Sequence, residues 1–301
     1  MINVVSVSGG KDSTATLLLA VERNVENIRA VFMDTGNEHE ATYEYLSYLE
    51  DSTGLKIERI KADASRLIEN RRKIITEDWT DPDSISQALE HLHPTGIPFL
   101  DHAIAFGFFP AHGARWCTNY LKVSVFRNQV VLPALAEGAD LTSWQGVRRD
   151  ESRARSCLEE SEFLTRDDKT GAEAWIYRPI LDWKAEDCFA MIQRHGLKPN
   201  PLYKLGFSRV GCMPCIMNKK AEIALMAERF PDHVERIRKW EQIVSKCTAS
   251  KRSSFFFRGD ENSTIDEYVA WARTDRGGKQ IPLFADWKDP PSCSSVYGLC
   301  E

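Results

Sequence analysis

The sequence predicts an α/β fold: a parallel sheet with helices on both faces, followed by a helical, cysteine-containing C-terminal region. Short apolar runs alternate with amphipathic stretches from Ile2 to Gly196, the pattern of repeated strand–helix–strand units. Two turn motifs, "SGGKDS" (8–13) and "DTGNE" (34–38), follow apolar runs directly, as loops at the carboxyl ends of parallel strands do. From Pro199 the texture changes to turns, cysteines and separate helical stretches. The resulting division is 1–198 for an α/β domain and 199–301 for the helical region.

Element by element, residues 2–7 read as a buried strand and 13–22 as a helix whose "TATLLLAV" supplies an apolar face. A second strand over 28–33 ends at Asp34-Thr35-Gly36; 41–49 reads as helix and 56–60 as a third strand. Over 74–113 the pattern loosens, with prolines at 82, 94, 98 and 110, and predicts a loop-and-helix excursion or lid. The regular pattern resumes with a helix at 123–136, strands at 141–146 and 175–178, and the amphipathic "DWKAEDCFAMIQRHGL". Two helices, over 221–247 and 265–274, precede a tail containing Pro and Cys.

Composition narrows the classes. With 301 residues, 43% hydrophobic and 28% charged, the chain is globular and large enough for a full core. A net charge of -5 argues against broad attraction to nucleic acid and leaves room only for a local basic groove. No window is apolar enough to span a membrane, and the first apolar run has no basic leader. The expectation is a cytoplasmic protein with no membrane partner, in which eight cysteines serve as thiols, metal ligands or redox groups.

"SGGKDS" is not a mononucleotide P-loop, because the positions that would hold the first glycine and the Ser or Thr are Val5 and Asp12. Gly9 and Gly10 nevertheless allow backbone N–H groups to surround an anion at the positive end of the following helix. Lys11 can neutralise it, and Asp12 can orient a metal or cap the helix. Candidate nucleotide-binding residues are therefore Ser8, Gly9, Gly10, Lys11, Asp12 and Ser13, with Asp34 and Thr35 at the next strand end. "WQGVRRDESRAR" (144–155) adds Gly146 and the guanidinium groups of Arg148, Arg149, Arg153 and Arg155. Those arginines either form an anion pocket or pair with Asp150 and Glu151. Trp144 and Tyr177 either flank a ring or belong to the core. "GCMPC" places Cys212 and Cys215 on one turn, suited to a metal or a redox pair, with Cys117 as a third sulfur. Arg71-Arg72-Lys73 and "KRSSFFFRG" are read as surface charge and core phenylalanine, with a nucleic-acid contact as the alternative.

Six stretches together resemble a known family. "SGGKDS", "DTGNEHEATYEYL", "RWCTNYLK", "WQGVRRDESRAR", "YRPILDWKAEDC" and "NPLYKLGFSRVGCMPC" are similar, in this order over about residues 2–217, to the phosphoadenylylsulfate (PAPS) reductase family of the PP-loop ATP pyrophosphatase superfamily. The resemblance implies an adenine-nucleotide α-hydrolase-like fold. It also implies a [4Fe–4S] cluster on Cys117, Cys212 and Cys215, with Cys300 as fourth ligand and Cys293 as the alternative. Family members with a cluster carry a Cys-Cys doublet where this chain has Cys117-Thr118, and zinc is the rival metal.

Sulfonucleotide reductases usually alter the first glycine loop, since their substrate has no β,γ-diphosphate. The full motif here points to ATP, bound with Mg²⁺, cleaved to adenylate and pyrophosphate to activate an acceptor, with Lys11, Asp12, Arg148 and Arg155 as catalytic residues. Sulfur transfer would then follow, with a donor protein such as a cysteine desulfurase and possible nucleic-acid acceptors, as in the ATP pyrophosphatases of DNA phosphorothioation. Reduction of adenylylsulfate or PAPS with thioredoxin is the alternative, and a non-catalytic nucleotide-binding subunit is a third.

Overall fold

The computed structural model describes residues 1–111, 113–256 and 264–274. Six strands, β1 (Ile2–Ser6), β2 (Ile28–Asp34), β3 (Ile57–Lys61), β4 (Leu141–Trp144), β5 (Ser161–Arg166) and β6 (Glu173–Tyr177), form one sheet in the order β3-β2-β1-β4-β6-β5. All neighbours run parallel except β5, which lies antiparallel to β6 at the edge. The α/β expectation therefore holds.

The period of two along each strand decides which helices cover which face. Val5, Phe32 and Ile57 pack with Leu17 and Ala20 of α1 (Lys11–Glu22) and Leu46 and Leu49 of α2 (Glu40–Thr53). On the other face Val4, Val31 and Met33 meet Phe126, Val130 and Leu135 from a helical run over 116–136. That run contains two π-type turns, Asn119–Val123 and Arg127–Val131. The chain leaves β1 toward β3 on one side and returns to β4 on the other. Strand order thus reverses between β1 and β4, and the loops at their carboxyl ends border a crevice where ligands bind in open α/β sheets.

The segment read as an excursion contains α4 (Pro82–His91) and α5 (Pro98–Phe106), preceded by α3 (Ser65–Asp78). Phe99, Leu100 and Ile104 of α5 are buried in one apolar cluster with Ile237, Trp240 and Val244 of the C-terminal region. Phe99 alone has rings of Trp116, Trp240 and Phe255 at 5.4, 5.8 and 5.6 Å. Residues 65–106 and the helices Lys220–Arg229, Pro231–Lys246 and Ile265–Ala272 consequently share a core.

The basic cluster at 71–73 has a local structural role. Arg71 donates to the Cys247 carbonyl (2.7 Å), and Arg72 to those of Leu89 and Leu92 (2.8 Å each), satisfying carbonyls at helix ends. Phe255 and Phe256 are buried in the core, while the rest of "FFFRG" lies outside the described residues.

Glu241, buried on the helix Pro231–Lys246, accepts the N–H groups of Phe255 (2.8 Å) and Ile265 (3.0 Å) and so joins both flanks of 257–263 to that helix. Burial pushes its carboxyl up to about 7, against those two hydrogen bonds. The folded state therefore holds the Glu241 proton at higher pH than the unfolded chain. The stability this contributes is complete below the ordinary value of 4.5 and lost as pH rises through about 7. Denaturant unfolding of the wild type and Glu241→Gln should show the stability difference growing in favour of wild type as pH falls between those values. The change is on the order of 1–3 kcal/mol, and a difference independent of pH contradicts it.

Candidate active site

The site is assembled at the carboxyl edge, beginning with the loop after β1. Gly9 has φ +79°, a left-handed conformation open to glycine, and a Cβ there would stand 3.0 Å from Thr42 Cγ2. Gly10 is extended and caps α1. Ser13 Oγ accepts the Ser8 N–H at 3.0 Å, donates to the Gly10 carbonyl at 3.2 Å and lies 2.9 Å from Ser8 Oγ. Two serines thus close the glycine turn on itself.

Asp12 fixes this loop to its neighbours. Its side chain is fully buried, with Lys11 Nζ at 2.9 Å, Arg148 Nε at 2.7 Å and the Cys188 thiol donating at 3.2 Å. Arg148 Nη1 also donates to both oxygens of Asp150, at 2.6 and 2.8 Å. Burial opposes the charge on Arg148, but Asp12, Asp150 and Glu151 outweigh it and its pKa is raised. Gly146, following β4, touches the loop so closely that a Cβ would lie 2.8 Å from the Asp12 carbonyl carbon.

Of the expected anion-binding cations, Arg148 pairs with Asp12 and Asp150, Arg149 with Asp182, and Arg155 with Glu151. Acidic residues within "RRDESRAR" thus pair with Arg148 and Arg155 from inside the segment, while Arg149 finds its partner outside it. Cys188 is a buried thiol beneath Asp12, pushed well above its ordinary range by burial and by that carboxylate. Trp144 and Tyr177 are core residues, stacked edge to face at 4.8 Å. His195 pairs with Glu22, and His112 lies outside the described residues.

After β2, Asp34 turns into the protein. It accepts the Gly36 N–H (2.9 Å) and the Tyr43 hydroxyl (2.7 Å), and Lys61 approaches at 3.2 Å. Thr35 donates to Glu38 (2.7 Å) and lies 3.6 Å from Cys212 Sγ. The cysteine loop is fastened here through Met213 N–H to the Asn37 carbonyl (2.7 Å) and Asn37 Nδ2 to the Pro214 carbonyl (2.9 Å). Asn37, Glu38 and Tyr43 carry this junction without having been singled out in the sequence. Their signal was present in "DTGNEHEATYEYL", where only the first two positions suggested a role.

Cys117, Cys212 and Cys215 line one cavity of about 60 Å³, together with Ser8, Thr35, Lys122 and Arg209. The candidate metal ligands therefore adjoin two candidate nucleotide residues. Cys293 and Cys300 lie outside the described residues. Burial pushes the Cys212 thiol well up, opposed by Lys122, and raises Glu38, again against Lys122. The Met217 N–H points at Cys215 Sγ from 3.4 Å. Three sulfurs lining one cavity, with a nearby cation and an N–H···S contact, are of the donor type a soft metal takes, whose charge would favour the thiolates, although they do not converge as closely as the ligands of a single zinc ion. Arg209 Nη2 is buried without a hydrogen-bond partner among the described residues, a donor available to an anion in the cavity.

Among the described residues, the side chains whose donor atoms all lie within 4.8 Å of one another are instead His39, Glu40 and His233. Their geometry serves a helix cap instead. His39 Nδ1 accepts the Ala41 N–H at 3.0 Å, and the two imidazoles stack within 8° of parallel at 4.9 Å. Stacked rings share no point lying in both ring planes, which a common metal ligated by both would require.

An α/β protein with a glycine loop at its topological switch point and a cysteine-lined cavity beside it is thereby defined. The chain belongs to a family: residues 2–218 match the model of the phosphoadenosine phosphosulfate reductase domain. An uncharacterised 37.8 kDa protein of Escherichia phage 186 is 45% identical, covering 100% of this chain and 97% of that one. An uncharacterised protein of Methanocaldococcus jannaschii is 27% identical over 94% of this chain, which spans 55% of that protein's length. An adenosine 5'-phosphosulfate reductase of Neisseria meningitidis serogroup B is 35% identical over 31% of this chain and 35% of its own. Among solved structures, the chain is similar to a PAPS reductase from Candida auris in phosphate complex, with 13% identity and TM-score 0.43, covering 71% and 83% of the two chains. The family assignment rests on the sequence matches. No helix among the described residues is long and apolar enough to cross a membrane.

The contact between Gly146 and Asp12 yields a direct check. Gly146→Ala should displace the loop, lower unfolding free energy by about 1–3 kcal/mol and abolish the nucleotide binding proposed below in the same variant. Denaturant titration and calorimetry would reveal whether an added methyl is instead tolerated, with unchanged stability and binding.

Proposed function

We propose that this chain is an ATP pyrophosphatase of its family, cleaving ATP between the α and β phosphates to activate an acceptor for sulfur transfer. The observation that carries this reading is the complete glycine loop, closed by Ser8 and Ser13 over the start of α1 with Gly9 in the left-handed region. Such a loop suits a terminal diphosphate, which a sulfonucleotide does not have.

In the proposed reaction an acceptor oxygen attacks the α phosphorus. The new O–P bond forms as the bond to the β-phosphate oxygen breaks, and pyrophosphate leaves with that electron pair. Negative charge grows on the leaving group, and loop N–H groups with the Lys11 ammonium would stabilise it. Asp12 and Arg148 act as positioning residues, because their buried pair keeps the loop rigid against β4. Mg²⁺ arriving with ATP would supply further charge neutralisation. A sulfur nucleophile then displaces AMP from the activated acceptor. Cys117, Cys212 and Cys215 would hold a [4Fe–4S] cluster, with Cys300 or Cys293 completing it, or zinc in its place; the cluster would supply sulfur or electrons beside the nucleotide. Arg209 is the donor in this cavity that would meet an anionic substrate.

A second reading, reduction of adenylylsulfate or PAPS to sulfite, is favoured by the reductase-named relatives and by that same anion-ready cysteine cavity. The two differ in product. Anaerobically purified protein given ATP and acceptor-containing extract should release pyrophosphate, whereas adenylylsulfate with thioredoxin should give no sulfite; the reverse pattern overturns the proposal.

Two variants separate the phosphate chemistry from the metal. Lys11→Ala should reduce pyrophosphate release by about 100-fold or more while leaving bound iron intact. Cys212→Ser should lose iron, measured by metal analysis; stoichiometric zinc in anaerobic wild-type protein would shift the assignment to zinc.

A further inference from the structure

The first N–H of α1, that of Lys11, is where an anion bound at this helix start would be received. Here it donates to the hydroxyl of Tyr203 at 2.8 Å. Nothing in the motif "SGGKDS" announces this residue, which is 192 positions away in sequence.

The approach is built rather than incidental. Asn200 accepts the Leu202 N–H at 3.0 Å and so starts the single helical turn Pro201–Lys204; its amide also donates to the Gly9 carbonyl at 3.3 Å. That turn carries Tyr203 over the loop. The ring of Phe189 meets the Tyr203 ring edge to face at 5.2 Å, and the Lys11 ammonium stands 5.8 Å from the Tyr203 ring centroid. The Tyr203 hydroxyl, its aromatic face and the Asn200 side-chain amide thus all address the glycine loop.

We infer that Tyr203 is a specificity-determining residue of this loop: its hydroxyl keeps, on the Lys11 N–H, the place of a terminal phosphate oxygen. The inference rests on the ATP reading above and extends it. One N–H directed along a 2.8 Å bond has no second short, straight bond to give, so a phosphate oxygen taking this N–H must displace the phenol. The exchange is favourable, because an N–H bond to an ionised oxygen is about twice as strong as one to a neutral hydroxyl. A ligand with a terminal diphosphate, such as ATP or pyrophosphate, can make this exchange. AMP, with no diphosphate, leaves Tyr203 in place. After cleavage the returning hydroxyl competes with pyrophosphate for the same donor and assists its release.

Tyr203→Phe keeps the ring contacts and removes the competing oxygen. Calorimetric titration with inorganic pyrophosphate, ATP and AMP should show about fivefold tighter binding of the first two by the variant, corresponding to about 1 kcal/mol, with AMP unchanged. Unchanged or weaker pyrophosphate binding by the variant, with wild type binding normally, overturns the role of Tyr203 and leaves the ATP reading standing. Absence of pyrophosphate and ATP binding in wild type overturns both. A readout on wild-type protein covers a variant that does not fold. With ¹³C-labelled tyrosine, the Tyr203 ring signal should shift at saturating pyrophosphate and stay in place with AMP, and an unmoved signal at saturating pyrophosphate contradicts displacement.

Discussion

The buried pair between Asp12 and Arg148 is the interaction on which the remainder of the site depends. It ties the glycine loop of β1 to the loop of β4 across the point where strand order reverses. Breaking such a pair by removing one partner typically costs about 3–5 kcal/mol, because a desolvated charge is left behind. Lys11, Cys188, Asp150 and the bare backbone of Gly146 are arranged around that pair and share its geometry. A chemically charged region is thereby made rigid, with opposite charges matched inside the protein. Among the described residues, the buried donor without a partner in the adjoining cavity is Arg209 Nη2.

A second connection runs from the other strand end to the sulfurs. Asn37 joins the turn after β2 to the loop carrying Cys212 and Cys215, and Thr35 lies at the contact between them. Cys117 and Lys122 come to the same cavity from the helical run over 116–136. Five residues on a regular α-helix are separated by well over a third of a turn. The wider π-type turn over Asn119–Val123 lets these two serve one wall. The glycine loop and the cysteine cavity adjoin at Ser8 and Thr35, the arrangement that the proposed succession of phosphate and sulfur chemistry requires.

Much of the fold was legible because buried parallel strands leave continuous apolar runs, as "INVVSV" and "IRAVFM" do. Strand β5 was not, since "SEFLTR" lies at the sheet edge with its first three residues exposed and carries no buried stripe. Helix α3 was hidden for a related reason: within "SRLIENRRKIITED" only Ile68 and Ile75 are buried. The prolines that suggested an excursion over 74–113 include Pro82 and Pro98, each at a helix start, where a missing N–H costs nothing. At the site, glycines and cysteines announced themselves by type and spacing. Asn37, Asn200 and Tyr203 did not, because their roles are long-range hydrogen bonds that create no local pattern. The arginines of "RRDESRAR" showed the opposite difficulty: the motif was visible, but only the folded structure distinguishes a guanidinium paired to Asp150 from one facing a ligand.

The central claim is that main-chain donors of residues 9–12 receive the terminal diphosphate of a nucleoside triphosphate. A crystal structure with Mg²⁺ and α,β-methylene-ATP measures this most directly. The account predicts β and γ phosphate oxygens within hydrogen-bond distance of those N–H groups, with the α phosphorus facing the crevice between β1 and β4. A well-ordered triphosphate bound with its diphosphate away from the loop, and the loop N–H groups directed elsewhere, would contradict it.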